Sequence, residues 1–152
     1  MEQVVFGRWR LRCDREATWQ AYKCIKVGGP EACCYCCYCR NFAAARGQVY
    51  PVEVLALFEQ LGIDFTKEVE VYEMGRLESG FRHYGGWFHC VGQIEAEGAD
   101  PGKFDWKNPT GSFSLYFHDK PTLVPDCFQK LPLMQLEFAA QVPWVLQEPE
   151  PD

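Results

Sequence analysis

Long apolar segments are missing from this chain of 152 residues. No apolar run approaches the roughly 20 residues that a helix needs to cross a bilayer. The N-terminus also lacks the basic-then-apolar order of a secretory signal peptide. These two absences predict a cytoplasmic protein without a membrane partner, in a compartment where thiols stay reduced.

Positive charge is scarce as well. Lys and Arg number 15 against 21 Asp and Glu, which leaves a net charge of -6. A surface that binds nucleic-acid phosphates needs clustered basic side chains. The nearest approach is Arg8, Arg10, Arg12 and Arg15, and the first three alternate as on the solvated face of a strand. We therefore expect no nucleic-acid partner.

Motifs of common enzyme classes are absent too. The sequence contains neither the G-x-S-x-G of hydrolases nor the H-E-x-x-H of metalloproteases. Gly85-Gly86 has no following helix and lysine, so it does not form a phosphate-binding loop. His83, His89 and His118 fall on predicted strands, where histidine is an ordinary sheet residue. We expect a non-enzymatic binding or interaction module whose partner is a protein or a small molecule.

Cysteine, in contrast, is abundant and concentrated. Of nine cysteines in the chain, five fall within the seven residues 33–39, which we call the cysteine run. The run contains three overlapping C-x-x-C pairs: Cys33/Cys36, Cys34/Cys37 and Cys36/Cys39. This spacing lets two sulfurs converge on one centre. Since nine is odd, a complete internal disulfide set is impossible, and reduced or metal-bound thiols fit the sequence better.

A structural zinc ion is the first hypothesis for the cysteine run. A tetrahedral zinc site needs four Cys or His ligands, and one C-x-x-C pair supplies two. No second C-x-x-C pair follows downstream. Cys24 is the best ligand from outside the run, because it lies near the end of the segment that enters it. The predicted zinc ligands are therefore Cys24, Cys34, Cys36 and Cys39.

Three alternatives stay open for the same cysteines. A thiol–disulfide redox protein would use Cys36 and Cys39, with a helix start near Asn41 lowering the pKa of the first thiol. An iron–sulfur cluster would use Cys33, Cys36 and Cys39, although Ala43 stands where a fourth cysteine is expected. In the third alternative no metal binds, and the cysteines are small hydrophobes that merely pack.

The apolar periodicity predicts both strands and one helix. Residues 3–13 and 17–27 are predicted to form an antiparallel hairpin. Residues 51–61 are predicted as the main helix, because Pro51 suits its first position and Gly62 a left-handed stop. A short helical turn is predicted at 41–46. Further strands are predicted in the segments 68–73, 81–94, 112–118 and 134–142, with a loop at 95–109.

These elements add up to an α+β fold. We expect a single domain over residues 1–146, with an antiparallel sheet of about six strands. The main helix at 51–61 would pack on one face, and the Cys-rich loop would join the hairpin to that helix. Residues 147–152 contain two prolines and three acids, which predicts a flexible acidic tail.

A set of short motifs resembles a small family of uncharacterised bacterial proteins. The motifs are C-x-x-C-x-N-F from Cys36, Y-P at Tyr50, L-G-I-D from Leu61 and Y-x-x-W-F-H from Tyr84, which includes G-W-F-H. Together they span residues 36–92. The resemblance implies a bacterial cytosolic protein, and it carries over no function, ligand or catalytic residue.

Overall fold

The computed structural model describes residues 1–98 and 111–152, together with the backbone of a short strand at 105–108. Its described part contains three α-helices and seven strands. In chain order these are β1 (Glu2–Phe6), β2 (Trp9–Cys13), α1 (Arg15–Cys24), α2 (Cys37–Ala45), α3 (Val52–Leu61), β3 (Glu70–Arg76), β4 (Arg82–Glu97), β5 (Asp105–Asn108), β6 (Gly111–His118) and β7 (Leu133–Val142). The predicted α+β fold with an antiparallel sheet is confirmed.

The long strand β4 organises the sheet, whose order is β1-β2-β4-β7-β6-β5. Strand β7 pairs with the first ten residues of β4, from Arg82 to Val91. Along the other edge of β4, β3 pairs with its first part and β2 with the part from Gly92 to Glu97. Residues 3–13, predicted as one strand, instead form most of the antiparallel hairpin β1–β2, and β4 joins this hairpin to the rest of the sheet.

The core lies between the sheet and helices α2 and α3. Phe58 of α3 packs on Phe88 of β4, with ring centroids 4.8 Å apart. Phe42 of α2 packs on Phe138 of β7, at 6.2 Å. All four rings are buried. This aromatic layer fixes α2, the helix that begins within the cysteine run, against the middle of the sheet.

The second predicted strand, residues 17–27, is wrong. The structure has helix α1 there, and Asp14 caps it by accepting a hydrogen bond of 3.0 Å from the backbone N–H of Ala17. Thr18 and Tyr22 are buried on one side at a spacing of four residues. That spacing is helical. The cap and this buried helical face therefore outweigh the apparent alternation of apolar residues in the segment.

The main helix is confirmed as α3. Pro51 immediately precedes it, and Gly62 ends it in the left-handed conformation with φ of 81°. The N–H of Ile63 then bonds the carbonyl of Phe58 at 2.9 Å, which satisfies a carbonyl of the last turn. Two further helices accompany it. One of them, α2, contains most of the predicted turn at 41–46 and begins earlier, at Cys37.

The predicted loop at 95–109 is shorter in the structure. Strand β4 continues to Glu97, and the backbone of Asp105–Asn108 forms β5. The remaining loop residues 99–104 and 109 lie outside the described residues.

The C-terminal residues 147–152 make ion pairs in the structure. Glu148 pairs with Arg40, and Glu150 pairs with Arg76 and Arg82. The flexibility of this segment stays a prediction, and its contacts connect it to α2, β3 and β4.

Within the described ranges, no helix has both the length and the apolar character needed to cross a bilayer.

One disulfide joins distant parts of the chain. Cys24 at the end of α1 is bonded to Cys127, which lies in a 3-10 turn before β7, 103 residues further along. The other seven cysteines are free. The expectation of reduced or metal-bound thiols is therefore wrong for Cys24 and Cys127. Sequence spacing holds no signal for a pairing across such a distance.

We predict that the double substitution Cys24→Ser/Cys127→Ser lowers the free energy of unfolding by about 4 kcal/mol. The reason is that a closed loop of this length restricts the unfolded chain. Denaturant unfolding followed by circular dichroism, without reductant, measures the change. Wild-type protein with reductant is the control and should approach the variant. A loss below about 1 kcal/mol would contradict the stabilising role of the disulfide.

Candidate metal centre

A short 3-10 helix, Gly29–Ala32, directly precedes the cysteine run and contacts the segment just before β3. The backbone N–H of Gly29 donates to the carbonyl of Glu68. Gly29 has φ of 62°, and a Cβ there would lie 2.2 Å from Oε1 of Glu68. Only glycine fits this contact, because a side chain would need both an unfavourable backbone and space that the carboxylate occupies.

A buried ion network holds both ends of the segment formed by the cysteine run and α2. Nη2 of Arg46, which follows α2 directly, lies 2.8 Å from Oε1 of the fully buried Glu68 side chain and 2.9 Å from Oε2 of Glu31. The hydroxyl of Tyr50 donates to Glu68 at 2.7 Å. Burial raises the pKa of Glu68, and the hydrogen bonds from Arg46 and Tyr50 oppose that rise. Since Glu31 precedes the run and Arg46 follows α2, the network fixes the entry and the exit of this segment together.

The run turns back on itself before α2 begins. Tyr35 has φ of 51°, a left-handed conformation that is uncommon for a bulky residue. This reversal brings Sγ of Cys34 within 3.9 Å of Sγ of Cys39, five residues later and in the first turns of α2. The Sγ atoms of Cys33, Cys34 and Cys39 all lie within 4.8 Å of one another. We call these three residues the cysteine cluster.

The thiols of the cluster have opposite tendencies to ionise. The backbone N–H of Cys36 bonds Sγ of Cys34, and together with the side chains of Cys36 and Cys39 it lowers the pKa of Cys34. Burial, with the neighbouring Cys36 and Cys34, raises the pKa of Cys39 to about 12. This difference favours Cys39 as the donor in the 3.9 Å contact and Cys34 as the thiol of the pair that ionises first. A stabilised thiolate is the form that binds a metal.

The predicted ligands are brought together only in part. Cys34 and Cys39 belong to the cluster, and Cys36, which lies between them in the chain, affects the pKa of both. Cys24 is held in its disulfide with Cys127 and does not join them. Cys33 takes part instead, and the signal for it was its C-x-x-C spacing to Cys36.

Packing in the core accounts for Cys13 and Cys90 better than it accounts for the cysteine cluster. Cys13 and Cys90 are fully buried in the core, and burial raises the pKa of both thiols. Cys33 and Cys34 are exposed. An exposed thiol gains little from packing, so the grouping of the cluster is not a by-product of core formation.

A pocket of about 240 Å³ lies against the cluster. Its other walls come from Tyr38 of α2, residues 71–73 of β3, and Tyr84 of β4. Pockets that bind small molecules usually measure about 300–1,000 Å³. This one is below that range, so its size argues against a large organic substrate.

We predict that Arg46→Met lowers the free energy of unfolding by about 3 kcal/mol or more, because it leaves the Glu68 carboxylate buried without its cation. Denaturant unfolding measures the loss. The matched control is Glu31→Gln, which removes the more exposed partner of the same arginine and should cost less than about 1 kcal/mol. Equal losses in the two variants would contradict the central role of Glu68.

We also predict that iodoacetamide labels Cys34 first in metal-free protein, and at lower pH than a cysteine in a short peptide. The lowered pKa of Cys34 supplies thiolate, while Cys39, whose pKa is about 12, stays protonated near neutral pH. Peptide mass spectrometry after timed labelling identifies the modified residues. Labelling of Cys39 as fast as Cys34 would contradict this assignment.

Comparison of the chain with protein-family models, with curated proteins and with solved structures finds no match in any of the three. The site must therefore be interpreted from its own geometry.

Proposed function

We propose that the cysteine run is a structural zinc site, with Cys33, Cys34 and Cys39 as ligands and Cys36 as the fourth. The observation that carries the proposal is the convergence of three Sγ atoms within 4.8 Å of one another. A tetrahedral site with Zn–S bonds of about 2.3 Å places its sulfurs about 3.8 Å apart. The observed separation of 3.9 Å between Cys34 and Cys39 already matches this spacing.

Cys36 is proposed as the fourth ligand because of its position. It occupies the N-cap position of α2, and it lines the same pocket as Cys33, Cys34 and Cys39. A rotation of its side chain is a smaller change than recruiting a sulfur from outside the run. The N-terminus of α2 adds a partial positive charge, which favours thiolates at this end of the helix.

A zinc ion here would stabilise an irregular segment. Residues 33–36 lie between a four-residue 3-10 helix and α2, and they lack regular secondary structure. Bonds from Cys33 and Cys34 to one ion shared with Cys39 would cross-link this segment to α2. The proposed role is therefore that of a binding or interaction module whose surface loop the metal holds in one shape. Coordination would also protect the thiolates from the oxidation that has joined Cys24 to Cys127.

A second candidate is a thiol–disulfide redox protein, and one observation favours it. Cys34 and Cys39 are 3.9 Å apart, and an exposed thiol with a lowered pKa faces a buried thiol whose pKa is raised. Such a pair has an attacking thiol and a resolving thiol. In this role Cys34 would replace Cys36 as the nucleophile expected from the sequence. Zinc is preferred because a third sulfur, that of Cys33, joins the pair.

We predict one zinc ion per chain in protein purified without chelator, measured by native mass spectrometry and elemental analysis. Cys34→Ser and Cys39→Ser should lose the ion. Cys37→Ser, in the same run but outside the cluster, is the matched control and should keep it, as should Cys24→Ser. Zinc should leave as the pH falls, because protons compete for the thiolates.

Two results would contradict the zinc site. One is a metal content near zero in wild-type protein. The other is equal loss of zinc from Cys37→Ser and Cys34→Ser. A metal-free wild type whose Cys34 and Cys39 oxidise rapidly to a disulfide would support the redox candidate instead.

A further inference from the structure

After β7 the chain returns to α2, the helix that begins within the cysteine run. The buried side chain of Asn41, in α2, binds this returning segment at two points. Its Nδ2 donates to the carbonyl of Pro143 at 3.1 Å, and its Oδ1 accepts from the N–H of Val145 at 2.7 Å. A buried amide whose two ends are both satisfied fixes the segment to α2 in one register.

A second contact leads from this segment to the turn that forms the cluster. Glu148 pairs with the guanidinium of Arg40, and Nε of the same arginine donates to the carbonyl of Tyr35 at 3.4 Å. Tyr35 is the left-handed residue between Cys34 and Cys36. Glu148 thus orients the arginine that touches the backbone between two of the proposed ligands.

A third contact involves Tyr38, which precedes Cys39 of the cluster. Nε of Arg82 lies 3.0 Å from a carboxylate oxygen of Glu150, and the side chain of Arg82 is only 3% exposed. Its guanidinium lies over the ring of Tyr38, 4.9 Å from the centroid. Tyr38 directly precedes Cys39 and is also contacted at its ring edge by Trp144, at 6.4 Å.

We infer that residues 143–152, here named the C-terminal clamp, hold the proposed zinc ligands in position and thereby set the affinity of the site. This inference rests on the proposed zinc site. The clamp touches no sulfur itself and acts through the side chains and backbone next to the ligands. Groups that orient metal ligands in this way commonly change metal affinity by about 10–100-fold when they are removed.

The two ion-paired carboxylates of the clamp, Glu148 and Glu150, contribute unequally. The Arg40–Glu148 pair is 38% and 40% exposed, so water and salt screen it. The Arg82–Glu150 pair is largely buried, although Glu73 remains beside Arg82 at 3.3 Å. After either single substitution, the other ion pair of the clamp remains. Removing both carboxylates is therefore the informative change.

The test compares Glu148→Gln/Glu150→Gln with wild-type protein. Zinc affinity is measured by competition with a chromophoric chelator, and amide hydrogen exchange is measured on the metal-free forms. The matched control, Glu78→Gln/Asp119→Asn, removes two exposed carboxylates far along the chain from the clamp. We expect the clamp variant to bind zinc about tenfold more weakly. It should also exchange the amides of residues 36–41 faster, while the control does neither.

Each outcome decides the inference. Wild-type zinc affinity in the clamp variant overturns it. Faster exchange throughout the sheet, with a lower unfolding midpoint, also overturns it, because the clamp would then serve general stability only. If wild-type protein binds no zinc, the zinc proposal fails separately. In that case, faster exchange confined to residues 36–41 still supports the positioning role of the clamp, and unchanged exchange there overturns it.

Discussion

The buried carboxylate of Glu68 is the constraint on which the cysteine site depends. A charge removed from water is tolerated only with a partner and hydrogen bonds, and Arg46 and Tyr50 supply both. The backbone of Glu68 also accepts from Gly29. Glu68, which lies shortly before β3, thus fixes both the 3-10 turn before the cysteine run and Arg46, the residue after α2. The intervening segment is therefore short, tethered at both ends and forced to reverse direction.

That reversal produces the cluster. Tyr35 adopts the left-handed turn, and Cys33 and Cys34 come to face Cys39 in α2. The same α2 is packed on the sheet through Phe42 and held from outside by residues 143–152. Inner packing, a buried ion network and the C-terminal clamp thus all act on α2, whose N-terminal turn contains Cys39 of the cluster. An ion bound there would complete an arrangement that the rest of the fold has already prepared.

Features governed by local chemistry were predictable from the sequence. Pro51 and Gly62 bracket α3 as expected, and the apolar positions of the alternation in β6 and β7 are buried. The strand assigned to residues 17–27 failed because Asp14 caps a helix whose buried stripe mimics alternation over a short window. Within the site, the run was predictable, and three of the four ligands predicted from the sequence, Cys34, Cys36 and Cys39, recur in the proposed set. The error at Cys24 arose because its disulfide partner lies 103 residues away, a contact that only tertiary folding creates.

X-ray absorption at the zinc edge tests the central claim most directly, since it reports the atoms bonded to the metal. The measurement uses the full chain loaded with one equivalent of zinc. The zinc site predicts a shell of four sulfurs at about 2.3 Å. A shell of nitrogen and oxygen atoms at about 2.0–2.1 Å, without sulfur, would contradict it.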